Sequence, residues 1–164
     1  MGTPGRPDCT VTVEHVIQAP AADIFEVLAT PARHQEIDGS GMLQGEPKGA
    51  QRLSLGAKFS LAMRQGRAKY RSLNRVIEFA EGRLICWETG GEFRGHRVIG
   101  WQQWRYELVP IADPSGEQST LVLHSYDWGA AMFAPLLRIG GYPRRMAISM
   151  PKTLQRLASA VTLS

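Results

Sequence analysis

Residues Tyr142–Thr162 read YPRRMAISMPKTLQRLASAVT, and this stretch decides the fold. Met146, Met150, Leu154, Leu157 and Val161 recur at helical spacing and share one face. Arg145, Lys152, Gln155, Arg156 and Ser159 lie mostly off that stripe. A helix of this length is roughly 30 Å long, enough to cross a small domain. Pro151 sits inside the pattern and predicts a kink, or a split into two segments near Met150. Upstream, from Cys9 to Trp128, the chain reads mainly as strands. Strands followed by one long amphipathic helix predict a curved sheet wrapped around that helix.

The chain has 164 residues, 43% hydrophobic and 21% charged, with a formal net charge of +4. These are ordinary globular values, and the length suits one domain with a real core. No apolar run approaches the ~18 residues of a membrane span, so none is expected. The N-terminal MGTPGRPDC has no apolar run for a secretory signal, and Arg6 stands where a myristoylation motif needs Ser or Thr. A cytoplasmic location is therefore expected. Cys9 and Cys86 are too few for a disulfide framework and are read as reduced thiols. The densest basic cluster is Arg64, Arg67, Lys69, Arg71 and Arg75. Four of these share strand parity and read as a solvated face. With no recognition motif beside them, nucleic acid is not expected as a partner.

Residues 1–8 are rich in Gly and Pro and read as a disordered tail, leaving 9–164 as a single domain. In CTVTVEHVI, Val11, Val13, His15 and Ile17 alternate with Thr10, Thr12 and Glu14, which predicts the first strand. Pro20 and Asp23 then mark a helix start, and Ile24, Val27 and Leu28 supply its apolar stripe. Thr30-Pro31 repeats the start signal, with Thr30 as cap, for a second short helix carrying Arg33, His34, Gln35 and Glu36. A glycine-bearing loop runs on from Asp38 to Gly49. Six further strands are predicted over 51–55, 58–64, 69–79, 84–89, 98–109 and 119–127. Leu55-Gly56, Gln65-Gly66, Glu81-Gly82, Gly90-Gly91 and Pro114-Ser115-Gly116 supply the turns between them. Such short connections exclude crossover helices, so neighbours pair antiparallel. WGAAMFAPLLRIGGY, residues 128–142, is an apolar link lying against one end of the sheet.

This order resembles the helix-grip fold of the START/Bet v 1-like (SRPBCC) superfamily. Ile17-Gln18-Ala19-Pro20-Ala21-Ala22-Asp23-Ile24-Phe25 resembles its first strand-to-helix passage. Trp104-Arg105-Tyr106-Glu107-Leu108-Val109-Pro110 is similar to its penultimate strand, and Ser119-Thr120-Leu121-Val122 to its last. Met150-Pro151-Lys152-Thr153-Leu154-Gln155-Arg156-Leu157 resembles the end of the gripped helix. The likeness covers residues 9 to 162 and is nearest to bacterial polyketide cyclase/dehydrase-like proteins. It implies an α+β fold: a seven-stranded curved antiparallel sheet around a long C-terminal helix, with two short helices between strands one and two. It also implies a ligand cavity more firmly than a reaction.

In such a fold the sheet and helix close incompletely and leave an apolar hollow. Gln102, Trp104, Tyr106 and Leu108 share parity, as do Thr120, Val122, His124 and Tyr126; both sets are assigned inward. Met146 and Met150 face them from the helix and suit ligands of varied shape. His124, with Tyr106 and Tyr126, could exchange protons as a cyclase or dehydratase requires. The plainer reading is a core histidine with satisfied nitrogens. His34 and Asp38 could contact a polar ligand end at the mouth. Alternatively His34 is exposed and Asp38 caps the turn at Gly39-Ser40. Trp104, Val122, Met146 and Met150 complete the expected ligand-binding set. Glu88 and Asp127 serve either as acid–base carboxylates or as rim charges. His15, His34, His96 and His124 show no paired spacing, so no metal is expected, and no dinucleotide or phosphate fingerprint asks for a cofactor.

Three functions remain open. The chain binds a hydrophobic small molecule: a lipid, an isoprenoid or a polyketide-like aromatic. Or it is a cyclase or dehydratase using the cavity residues. Or it is an interaction module docking a partner, or a second copy as a homodimer, on residues 128–142.

Overall fold

Alternation along 10–17 extends the backbone as β1 (Thr10–Ile17), and Ile17 is buried at its inner end. The computed structural model describes residues 7–94, 96–132 and 134–162. Most of the expected N-terminal tail, residues 1–6, lies outside the described residues; Pro7–Cys9 forms a 3-10 turn. Pro20 leads into α1 (Ala21–Ala29), which buries Ile24, Phe25, Val27 and Leu28. The Thr30 hydroxyl donates back to the Glu26 carbonyl at 2.7 Å instead of capping the next turn. A 3-10 turn at Pro31–Arg33 then passes into α2 (His34–Ile37).

The strands are β2 (Lys48–Gly49), β3 (Lys58–Gln65), β4 (Ala68–Ala80), β5 (Leu84–Phe93), β6 (His96–Ala112) and β7 (Gln118–Asp127). They form one sheet in the order β1-β7-β6-β5-β4-β3-β2, antiparallel throughout. Only β1 lies beside a strand distant in sequence, with Val13 opposite His124. After β7 come α3 (Ala134–Ile139) and α4 (Tyr142–Thr162). The curved sheet grips α4, which packs on β1, β7, α1 and α2.

Two expected strand features are corrected. Residues 51–55 are bent and irregular backbone leading into a turn, and the second strand is the short pair at Lys48–Gly49. Leu53 is drawn off the sheet: its amide donates to the Ala29 carbonyl at 2.7 Å and its side chain is fully buried. Gly90-Gly91 is not the β5–β6 turn but part of β5, paired with Gly100 and Ile99. A Cβ on Gly100 would lie 2.8 Å from the Gly90 Cα and 2.9 Å from the Thr89 carbonyl oxygen, so the β5 backbone leaves no room for a side chain at position 100. The register shifts here, and Trp101 is the extra residue of the bulge, with φ 70°.

Pro151 does not split the long helix; α4 runs unbroken from Tyr142 to Thr162. Proline removes one amide and frees the carbonyl four residues back. That residue, Ala147, is exposed, as is Pro151, so the carbonyl meets water and the break is cheap. The buried stripe is Met146, Ser149, Met150, Leu154 and Leu157. Leu154 and Leu157 join Ile24, Phe25, Leu28, Phe59, Val76 and Ile85 in the main core. Each such leucine contributes roughly 1.5–3 kcal/mol by leaving water. Met146 and Met150 join a second cluster with Tyr126, Trp128 and Ala131. The apolar link is thus half packed. Trp128 is anchored by its amide to the Cys9 carbonyl at 3.0 Å, while Leu136 and Ile139 on α3 are 64% and 83% exposed.

Candidate functional site

The inner faces of β3 to β7 and the Met146–Thr153 side of α4 do not meet completely. They leave a cavity of about 130 Å3. Trp87, Trp104, Tyr106, Gln102 and His124 wall it from the sheet, and Met146, Ser149, Met150 and Tyr142 from α4. Leu61, Met63, Ser72 and Asn74 close the β3–β4 side. Helix α2 and the loop after it supply His34, Ile37, Asp38, Met42 and Leu43.

Alternation on paired strands puts aromatic rings in register, and they form a continuous arc. His34 stacks on Trp87 with centroids 5.2 Å apart; Trp87 lies 5.6 Å from Tyr106; Tyr106 stacks on His124 at 3.9 Å and 9°. Tyr106 and His124 are directly opposite across β6–β7, the close cross-strand geometry that favours such pairs. Trp104 stands 4.4 Å from Tyr126 and 6.1 Å from His124.

Both histidines are enclosed, His34 at 4% and His124 at 2% exposure. The His34 Nε2 donates to the Leu28 carbonyl at 2.8 Å, and the His124 Nδ1 to the Arg105 carbonyl at 3.2 Å. Burial pushes each imidazole down to about 4, its carbonyl partner opposing this only in part, so both rings are neutral near pH 7. Burial, with the Asp38 charge adding to it, raises the Tyr106 phenol above its usual range. Burial pushes Tyr142 up to about 12.

Asp38 lines the mouth and shapes it. Its Oδ1 accepts from the Ser40 amide at 2.9 Å and the Ser40 hydroxyl at 2.6 Å, and its Oδ2 accepts from the Leu43 amide at 2.9 Å. The loop is held to α4 as well. The Gly39 amide donates to Thr153 Oγ1 at 3.1 Å, and Arg156 donates to the Asp38 carbonyl at 2.8 Å. A polar wall stands opposite: Asn74 Nδ2 donates to the Phe59 carbonyl and Ser72 Oγ, both at 3.2 Å, and Asn74 Oδ1 accepts from Thr89 at 2.7 Å.

Of the residues expected at the site, His34, Asp38, Trp104, Tyr106, His124, Met146 and Met150 all line the cavity. Val122 does not; it is buried among Ile17, Leu108 and the main core. Tyr126 also lies outside: its hydroxyl donates to Gln102 Oε1 and its ring packs in the Trp128 cluster. His34 is buried, not exposed, because the turn at Pro31 carries α2 under the sheet against Phe59 and Trp87. The carboxylates Glu88 and Asp127 are away from the cavity. Glu88 pairs with Arg75 at 2.6 Å, and Asp127 accepts from the Gly129 amide at 2.7 Å. Trp87, Ser72, Asn74 and Thr89 went unpredicted. The solvated parity of Lys69, Arg71 and Arg75 was itself the signal, since it leaves Ser72 and Asn74 facing inward. His15 shares parity with Val13 but is exposed at the sheet edge. Among the described residues no three His, Cys, Asp or Glu gather to hold a metal ion. Among the described residues no helix is long and apolar enough to cross a membrane.

No family model matches the chain. It is similar to the uncharacterized protein Rv0088 of Mycobacterium tuberculosis, 34% identical over 128 residues, a match covering 78% of this chain and 50% of that protein. The chain thus spans about half the length of the curated relatives it matches. Among solved structures it is similar to a protein from Arthrobacter aurescens, with TM-score 0.70 and 11% identity over 95% of this chain and 87% of that one. It is also similar to norcoclaurine synthase from Thalictrum flavum in complex with dopamine and hydroxybenzaldehyde, with TM-score 0.62 and 12% identity over 93% and 86%. The fold defined by sheet order and gripped helix is α+β helix-grip. More particularly, it is the fold of the START/Bet v 1-like (SRPBCC) superfamily.

Proposed function

We propose that this chain binds a compact, hydrophobic, aromatic small molecule between the sheet and α4. The observation that carries this reading is the cavity of about 130 Å3 walled by Trp87, Trp104, Tyr106, Met146 and Met150. A cavity of about 150 Å3 accepts benzene, so a ring fits where most of a lipid or isoprenoid chain would be left outside. Polyketide-like aromatics are the members of the expected ligand set that suit the arc of rings. Norcoclaurine synthase, similar in fold, holds dopamine and hydroxybenzaldehyde, molecules built on one ring. Free thiols at Cys9 and Cys86 suit a reducing compartment such as the cytoplasm. The test is mass spectrometry of solvent extracts, with titration of tryptophan fluorescence by single-ring aromatics as the second step. A co-purifying aromatic and saturable quenching are expected; quenching linear in probe concentration would count against the reading.

A cyclase or dehydratase is the second reading, motivated by His124 stacked on Tyr106. Against it, an imidazole with a pKa of about 4 is a weak base near neutrality. Turnover of a candidate polyketide that survives His124→Ala would remove the catalytic role. The interaction reading keeps Leu136 and Ile139 as its exposed residues. Light scattering over a concentration series tests it for a homodimer.

A further inference from the structure

We propose that the cavity selects a neutral ligand with hydroxyl donors at two places, a dihydroxylated aromatic, through the bare nitrogens of His34 and His124, and that it rejects carboxylates. This rests on the binding reading above and deepens it. A backbone carbonyl can only accept, so each nitrogen facing one carries the ring proton: Nε2 of His34 toward Leu28, and Nδ1 of His124 toward Arg105. A neutral imidazole has one N–H and one lone pair. His34 Nδ1 and His124 Nε2 are therefore acceptors, and neither has a protein donor among the described residues. Both residues line the cavity and are buried, at 4% and 2% exposure.

The other polar groups are mostly committed. Asn74 is bonded at both ends of its amide, and Gln102 Oε1 accepts from Tyr126. Both Asp38 oxygens are held by the loop. Trp87, Trp104 and Tyr106 bring N–H and O–H donors to the lining, and the two imidazoles bring lone pairs that no protein donor fills among the described residues. A lone pair facing the hollow is open to a donor, and a ligand hydroxyl placed there would bond it. A site built to bond a hydroxyl rejects the analogue lacking it far more strongly than an apolar pocket rejects a size change.

Charge points the same way. No lysine or arginine lines the cavity among the described residues, and Asp38 is the lining carboxylate. An anion would meet two lone pairs and a negative charge with no cation to balance it. The acceptors also stand apart, His34 stacked on Trp87 and His124 on Tyr106, with those two rings side by side between them. A ligand ring set against the Trp87 and Tyr106 edges would carry its hydroxyls toward opposite ends.

The test uses three ring-matched probes on the intact chain: hydroquinone kept reduced, 1,4-dimethoxybenzene and terephthalate. Tryptophan quenching gives affinity. Long-range nitrogen NMR of the imidazoles reads the lone pairs directly, since an accepting ring nitrogen shifts and the one already donating barely moves. Expected are at least ten-fold tighter binding of hydroquinone than of the dimethoxy compound, no binding of terephthalate, and shifts at His34 Nδ1 and His124 Nε2. His34→Phe and His124→Phe should each lower the hydroquinone preference. If either fails to fold, the wild-type nitrogen shifts still decide. Equal binding of hydroquinone and dimethoxybenzene, or unmoved nitrogens, overturns the donor requirement and leaves ring binding intact. Saturable terephthalate binding overturns the charge selection. Binding of none of the three overturns ring binding and this inference together.

Discussion

At the scale of single residues, the two histidines show how far a side chain depends on its surroundings. His34 is packed on Phe59 and Trp87, His124 between Tyr106 and Trp104; each bonds a backbone carbonyl and no carboxylate. Each has its pKa lowered from 6.5 to about 4 in the folded chain. Between those values the unfolded chain binds more protons, so stability falls as pH falls. Their stabilisation is complete above about 6.5 and is lost on descent to about 4, on the order of 3 kcal/mol for each ring. Urea melts from pH 7.5 to 4 should show this loss, with most of it removed in the double variant His34→Gln, His124→Asn. A flat profile would mean that the rings protonate in place. Gly39 is a second point of dependence. A Cβ there would stand 2.5 Å from the Ser149 carbonyl oxygen and 2.6 Å from the Thr153 amide nitrogen. Backbone cannot move aside cheaply, so Gly39→Ala should lower Tm by several degrees and loosen the loop, seen as faster hydrogen exchange at Leu43. Alternation put His124 inward, but neither the carbonyls that the two rings bond nor the burial of His34 was readable from sequence. A lone histidine carries no pattern, and the close approach of Gly39 to α4 joins residues more than a hundred positions apart.

At the scale of elements, the chain was legible wherever one periodicity ran uninterrupted. The stripe from Met146 to Leu157 predicted α4 and its buried face, and alternation over 119–127 predicted β7 with Thr120, Val122, His124 and Tyr126 inward. Legibility failed where a tertiary contact outweighed a local signal. Gln51–Leu55 has strand-like text, yet Leu53 is held by α1. Gly90-Gly91 has turn chemistry, yet faces Gly100 inside the sheet. Leu154, fully enclosed between α1 and the sheet, should cost about 2–5 kcal/mol on truncation to alanine, read from the denaturation midpoint. Pro151 tests the reverse case. With Ala147 and Pro151 both exposed, Pro151→Ala restores a helical hydrogen bond without disturbing the core. Helix propensity alone favours alanine by about 3 kcal/mol, less what proline gains by stiffening the unfolded chain. A higher Tm is expected. A lower one would mean that the proline shapes the curve with which α4 meets the cavity.

At the scale of the whole molecule, two apolar clusters anchor α4, and the hollow lies against its Met146–Thr153 side. Leu154 and Leu157 seat one end in the main core, while Met146 and Met150 seat the other with Tyr126 and Trp128. Opposite Met146 and Met150 the sheet presents rings that stack on one another. The pairing of β1 with β7 could not be read from strand text, since it joins residues more than a hundred positions apart. If ligand binding belongs to this hollow, filling it should abolish binding without unfolding the protein. Leu61 lies on the β3 side of the cavity, half-buried and next to open space, so a larger ring there grows into the void. Leu61→Trp should eliminate saturable quenching by hydroquinone while leaving Tm within a few degrees. The wild type, by contrast, should gain stability with ligand, about 2.7 kcal/mol at a hundredfold excess over Kd. A filled variant that still binds and is still stabilised would place the ligand somewhere other than between sheet and helix. The aromatic arc would then serve only to pack the core.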